Sequence, residues 1–282
     1  MKTRLLIPVL ALACTKIQAG VPAAEWLAGL SGNGKLVLFA TDPAIKPVKV
    51  KITGLRKHEQ LLGLDLRPFN GQLYGLGSTS RIYSINWETG VATAVGSGPF
   101  TPALEGKSFS FDFNPTVDRI RIMSDTGQNL RAHPDTGAVV AIDGTLAFAA
   151  GDTNEGASPE VVGAAYTNSD NDPATGTALY DIDSSLDALL LQNPPNAGVL
   201  NTVGPLGVKV ANVAGFDISG ASGIAYASLV EERGNGRGRG MGRIKPTGLY
   251  TIDLDTGSAT LLYRLKGWNC VDSLTVIGPV AE

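Results

Sequence analysis

Arg81-Ile82-Tyr83-Ser84-Ile85-Asn86-Trp87-Glu88-Thr89-Gly90-Val91-Ala92-Thr93-Ala94-Val95-Gly96 reads as an alternating strand, a Thr-Gly turn and a second short strand. The phrase returns at Gly248–Leu262 as Gly-Leu-Tyr-Thr-Ile-Asp-Leu-Asp-Thr-Gly-Ser-Ala-Thr-Leu-Leu. A looser copy, Asn129–Val140, carries Asp135-Thr136-Gly137 at its turn. Another, Ala178–Leu191, has Tyr180-Asp181-Ile182-Asp183 before the turn. Each copy is preceded by further strand-like phrases: Gly63–Pro68 and Gln72–Leu76, Ser110–Pro115 and Arg119–Ile122, Gly163–Tyr166, and Gly215–Ile218 with Gly223–Ala227. The first of these strands start near 63, 110, 163 and 215, which gives spacings of 47, 53 and 52 residues.

A four-stranded unit repeating at this period is the signature of a β-propeller blade. One blade is too thin to bury both its faces, so it must stack against neighbours. Four units leave strands over at the ends. Lys35–Thr41 and Val48–Thr53 resemble the outer strands of a unit, and Glu25–Gly29 adds another. Asp272–Val276 resembles a first strand. The pattern therefore predicts an all-β propeller of five blades, the fifth made by both termini, with its inner strand from the C-terminus. A sixth blade follows only if Asn193–Val210, rich in Pro and Gly, hides a degenerate unit. Ser184–Gln192 is the best helical stretch, but its place in the repeat favours a turn and a strand.

The totals agree with many short strands joined by turns: 35 glycines and 16 prolines in 282 residues, 43% hydrophobic and 17% charged. The net charge of −3 offers no general basic field for nucleic acid. Residues 1–20 are expected to be an export signal. Lys2 and Arg4 precede an apolar run of about ten residues, Leu5–Cys14, and small residues follow at Ala19 and Gly20. That run is too short to span a bilayer, which takes roughly 20 residues, and no later stretch is long and apolar enough. Residues 21–282 are then a single propeller domain, secreted or periplasmic and expected to be monomeric. Ala11-Leu12-Ala13-Cys14 also resembles a lipoprotein box, which would make the chain a lipid-anchored surface protein. If Cys14 is removed, Cys270 has no partner within the chain. Residues 231–246 alternate glycine with arginine and read as a mobile loop inside the fourth unit.

Ser110–Arg131 reads Ser-Phe-Asp-Phe-Asn-Pro-Thr-Val-Asp-Arg-Ile-Arg-Ile-Met-Ser-Asp-Thr-Gly-Gln-Asn-Leu-Arg. With Gly71–Gly77, Leu179–Asp183 and Gln192–Gly198 in order along the chain, it resembles a bacterial domain-of-unknown-function family. Members of that family are mostly hypothetical secreted proteins. The resemblance covers nearly all of the mature chain and implies a propeller-like fold and export. It implies no activity and no catalytic residues. The arginine-glycine loop and Asn168–Asp172 depart from the family pattern.

Candidate chemistry gathers in two places. Asp112, Asn114, Asp118, Arg119 and Arg121 form the richest polar segment. They suit a carboxylate or sugar ligand held by an arginine clamp. They suit better a turn lock in which Asp and Asn hold the Pro115 turn while Arg pairs with Asp at the blade edge. Asp65, Asp112 and Asp217 occupy the same place in three first strands, where inner strands border a channel. Three converging carboxylates could hold calcium, which takes six to eight oxygens. Alternatively, each caps a turn or pairs between blades. Ala165 and Thr275 hold the two equivalent positions, so any acidic ring is incomplete.

Other motifs lack their mechanism. Asn168–Asp172 has neither the glycine nor the terminal glutamate of an EF-hand loop. Gly29–Lys35 has Walker A spacing up to its lysine, but Leu36 replaces the hydroxyl residue and a strand follows instead of a helix. His58 and His133 belong to no metal spacing or nucleophile elbow. The sequence thus predicts a binding or interaction module for an extracytoplasmic ligand or protein. A calcium-dependent hydrolase of the lactonase or phosphatase-like kind is the rival. Four or more converging carboxylates beneath a cleft would favour the hydrolase, and carboxylates already tied to backbone would favour binding.

Overall fold

A computed structural model describes residues 23–32, 34–170, 172, 174–231, 247–265 and 271–280. The expected signal segment, Cys14, Cys270 and all but the first residue of the arginine-glycine loop lie outside the described residues. Five antiparallel sheets follow the predicted units. Blade I is Leu61–Arg67, Gln72–Gly77, Arg81–Ile85 and Ala92–Val95. Blade II is Phe109–Asn114, Arg119–Ser124, Asn129–Ala132 and Val139–Ile142. Blade III is Val161–Tyr166, Leu179–Asp183, Ala188–Gln192 and Val199–Pro205, extended by Ala147–Phe148, which pairs parallel to Val199–Pro205. Blade IV is Val210–Ile218, Ala225–Glu231, Gly248–Ile252 and Ala259–Arg264.

Blade V closes the ring. Its inner strand is Val271–Pro279 from the C-terminus, and Glu25–Ser31, Lys35–Ala40 and Val48–Lys51 follow outward. Residues 193–210 hold no sixth blade. They make a short 3-10 turn, Pro195–Ala197, then the fourth strand of blade III, and lead into blade IV.

The core lies between the blades, one apolar cluster per seam. Leu64, Leu73, Tyr83 and Ile85 of blade I pack on Ala28, Leu30, Leu36 and Leu38 of blade V. Tyr74, Leu76 and Ile82 on the other face of blade I meet Phe111, Phe113, Ile120 and Ile122 of blade II. Met123 of blade II joins Leu179 and Leu190 of blade III, whose opposite face sets Ile182 and Leu189 against Phe216, Ile218 and Tyr250 of blade IV. Tyr226 and Leu249 then meet Leu27, Phe39 and Val271 of blade V. Period-two alternation therefore serves two neighbours: successive positions of each strand face opposite blades, and both faces are buried.

The Thr-Gly turn explains how blades nest at the periphery. Asn86 Oδ1 accepts the N–H groups of Glu88 and Thr89, and Gly90 N–H returns to the Asn86 carbonyl at 2.7 Å. Asp253 and Gly257 repeat the arrangement in blade IV. Gly90 has φ +76°, and a Cβ there would strike the Lys51 carbonyl on the outer strand of blade V. Gly257, at φ +82°, sits likewise on Gly204 of blade III. Only glycine meets both demands, a left-handed backbone and direct contact with the preceding blade.

Candidate functional site

The inner strands bring Asp65, Asp112 and Asp217 together on the propeller axis. All three are buried, and one carboxylate oxygen from each lies within 4.8 Å of the others. Their position follows from the repeat, which puts the same residue of successive inner strands at the same height. Each also reaches forward. Asp65 Oδ2 accepts the N–H of Phe113 at 2.7 Å, and Asp112 Oδ2 accepts that of Tyr166 at 2.8 Å. Asp217 Oδ2 accepts the N–H of Val276 at 2.6 Å, and Thr275 Oγ1 accepts that of Leu66 at 3.2 Å. Every donor is the residue just after the equivalent position in the next blade. The side chains form a ring of blade-to-blade latches with one gap, at Ala165. Across that gap, the N–H of Ile218 turns to its own neighbour, Asp217 Oδ1, at 2.6 Å.

Thr275 joins two of the acids. Its hydroxyl oxygen is 2.8 Å from Asp65 Oδ1 and 3.0 Å from Asp217 Oδ2. A threonine hydroxyl has one proton to donate. The second of these contacts therefore calls for a proton on a carboxyl group or for a cation. The electrostatics agree. Burial, and then the charge of Asp217, push the Asp65 carboxyl well above the usual range. Burial, and then the charges of Asp65 and Asp217, do the same to Asp112. Burial pushes Asp217 up to about 6 against the opposing N–H of Val276.

A cavity of about 250 Å³ opens over this floor, at the ends of the inner strands. Asp65, Asp217 and Thr275 line its base, with Ser169, Ser219 and Gly220 among its walls. Ser169 belongs to the oxygen-rich Asn168–Asp172 run, of which Asn171 lies outside the described residues. Within that run Asp170 Oδ1 accepts from the Asp172 N–H and the Thr175 hydroxyl, and Asn168 Nδ2 donates to the Gly176 carbonyl. These bonds fold the hairpin onto itself, and a Cβ at Gly220 would strike the Ser169 carbonyl, so the hairpin tip rests against blade IV beside the cavity.

The polar segment of blade II separates into three parts. Asp112 belongs to the axis. Asn114 Oδ1 caps the Pro115 turn by accepting from Thr116 N–H at 3.0 Å and Val117 N–H at 3.3 Å. Arg119 donates to the carbonyls of Val117 and Asp118 in the same turn. Asp118 accepts a two-pronged contact from Arg67 of blade I, with Nε to Oδ1 at 2.7 Å and Nη2 to Oδ2 at 2.5 Å. Arg121, 2% exposed, turns toward blade III, where Nε reaches the Tyr166 hydroxyl and Nη2 reaches Asn196. Its Nη1 holds Asn129 and Asp143. The two arginines expected to clamp a ligand are thus committed to the turn and the blade seam.

Three participants escape a reading of the sequence. Arg67 stands where blade II has Asn114, directly before the turn proline, and that correspondence was visible in Asp65-Leu66-Arg67-Pro68. Buried, it also donates to Asp135 at 2.6 Å and to the Tyr74 hydroxyl at 3.2 Å. Glu25, at the start of the outer part of blade V, accepts from the hydroxyls of Ser219, Ser222 and Tyr226 of blade IV. Nothing in its local sequence signals this. Asp181, on the second strand of blade III between Ala164 and Leu190, is wholly buried. Of the other motifs, Gly29–Lys35 is a hairpin whose Gly34 N–H bonds the Ser31 carbonyl, and His133 accepts the Asp135 N–H within its turn.

Solved structures show distant likenesses. An auxiliary nutrient binding protein from Bacteroides ovatus aligns at 13% identity and TM-score 0.42, covering 71% of this chain and 55% of its own. The dihydro-heme d1 dehydrogenase NirN aligns at 11% and 0.41, covering 86% and 45%. Myxococcus xanthus glutaminyl cyclase aligns at 13% and 0.47, covering 79% and 84%. This chain spans about half the length of the first two. A search of curated proteins finds no significant match. The model of the family Domain of unknown function (DUF4394) matches residues 35–275, from the third strand of blade V through blades I to IV to Thr275 on the axis, and the chain belongs to that family.

Proposed function

We propose that the protein is an extracytoplasmic binding module whose ligand meets the axial cavity and presents positive charge to its floor. One observation carries this reading: an open cavity of about 250 Å³ ends on buried Asp65 and Asp217, with Asp112 within 4.8 Å of both. A concave site with convergent polar groups and perturbed carboxyls is the default place for a ligand. Calcium or the ammonium group of an organic ligand would relieve the repulsion among the three acids. Binding is favoured over hydrolysis because, among the described residues, three carboxylates converge rather than four, and each already accepts a backbone N–H.

The export reading rests on the basic and apolar pattern of residues 1–20. No described helix is long and apolar enough to cross a membrane. Mass spectrometry of the mature N-terminus separates cleavage near Ala19 from lipidation at Cys14.

Thermal melting with calcium tests the floor. Ligand at 100 times its Kd adds about 2.7 kcal/mol, and each kcal/mol moves the Tm of a chain this size by about 2–4 °C. Millimolar calcium is expected to raise the wild-type Tm and to leave Asp217→Asn unmoved. No shift in either protein, with calcium or with alkylammonium ions, would remove the cation from the reading.

A further inference from the structure

The seam between blades II and III contains polar atoms that neither the axial cavity nor the turn network uses. Ser110, Asp112, Arg121 and Met123 share the face of blade II that looks at blade III, because Ser110 pairs with Met123 and Asp112 with Arg121. Ala164, Asp181 and Leu190 share one row on the opposing face, and Leu179 and Gln192 share the next. Asp181 is 0% exposed, and neither of its carboxylate oxygens has a hydrogen-bond partner. Ser110 Oγ and Gln192 Oε1, on the same seam, are also buried and unpartnered. Buried polar atoms without partners are costly, and most native examples are met by protein or ordered water.

The neighbours define what fits. The seam is enclosed: Ser110, Arg121, Ala164, Asp181 and Gln192 are at most 3% exposed. Two small side chains lie here: Ala164, paired with Asp181, and Ser110, one row from Asp112 and Arg121. Arg121 commits four of its five N–H groups to Tyr166, Asn129, Asp143 and Asn196, which leaves one on Nη2. Burial pushes the Asp181 carboxyl well above the usual range, and the charge of Arg121, which makes no direct bond to it, opposes that shift without cancelling it. A guest here must donate to Asp181 and Gln192 and accept from Arg121. A metal ion cannot accept, and it would face the guanidinium. Water does both.

We propose that the seam between the second and third blades is a buried water site in which ordered water bridges Asp181 to Arg121, with Asp181 acting as the positioning residue that holds the Arg121 hub against blade III. This bridge binds the two blades beside Asp112, next to the gap in the axial ring at Ala165.

Two measurements test it. High-resolution diffraction from the wild-type protein should show water within hydrogen-bond distance of both the Asp181 carboxyl and Arg121 Nη2. An empty seam, a metal ion, or a direct Asp181–Arg121 bond would overturn the proposal. Melting of Asp181→Asn and Asp181→Leu gives the second readout. The amide can still bond water and should stay within a few degrees of wild type, whereas the leucine should melt several degrees lower. If Asp181 were merely an unmet acid in an apolar seam, leucine would raise the Tm instead, and that result would also overturn it. Should the leucine variant fail to fold, the wild-type diffraction experiment still decides.

Discussion

Thr275 has one hydroxyl proton and two carboxylates within 3.0 Å, and this shortage ties the axis to pH. The folded-state pKa of Asp217, about 6, lies above its ordinary value of 3.8. The folded protein therefore keeps a proton that the unfolded chain releases. The associated stability is complete below about pH 3.8 and is lost as pH rises through about 6. Asp135 has the opposite sign: the Arg67 hydrogen bond lowers its pKa, so its contribution falls away in acid. Comparing wild type with Asp217→Asn reads the axial carboxyls together, because the Asp217 charge also raises Asp65 and Asp112. The Tm advantage of the wild type should shrink between pH 4 and pH 7, and a difference independent of pH would show that no proton is held there.

At the scale of strands and turns, Arg67 ties one blade to the next through several side chains. It ends the inner strand of blade I and fastens it to the Asp118 turn and to Asp135, both of blade II. Its guanidinium also lies 5.2 Å beneath the ring of exposed Phe69. The planar fork matches the Asp118 carboxylate in a way that a lysine ammonium cannot. Breaking a buried pair costs about 3–5 kcal/mol, and the partial exposure of Asp118 places this one at the low end. Arg67→Lys should therefore lower the unfolding free energy by about 2 kcal/mol in a urea titration. A loss below about 0.5 kcal/mol would mean that the bidentate geometry contributes little. Turn chemistry of this kind was partly legible: Asn114 and the Pro115 turn could be read as a cap, because the bonds are local. The Arg67–Asp118 pair spans 51 residues, and no local pattern encodes it.

For the whole molecule, closure of the ring is the decisive event. The strand Val271–Pro279 is the inner strand of blade V and carries Thr275, and its Val276 N–H is the donor to Asp217. Ending the chain after residue 270 would uncover the apolar faces of blades IV and V and leave Asp65 and Asp217 without these partners. Such a truncation should lose its cooperative melting transition and aggregate; a transition within a few degrees of wild type would show that four blades suffice. Blade number, blade boundaries and the sharing of the last blade between the termini were all present in the sequence. They follow from spacing and from period-two alternation, which local residue types encode directly. Asp65, Asp112 and Asp217 could also be placed at equal heights, because a repeat makes equal positions equivalent. Tertiary structure alone decided what these positions do: the height at which five inner strands meet, the single proton of Thr275 serving two blades, the withdrawal of Arg121 into a seam, and the burial of Asp181 beside it. The physical reason is that burial and hydrogen-bond partners at the axis come from strands tens to hundreds of residues apart. Their charges and protons are set only when the ring of Arg81–Gly96 and its copies has closed.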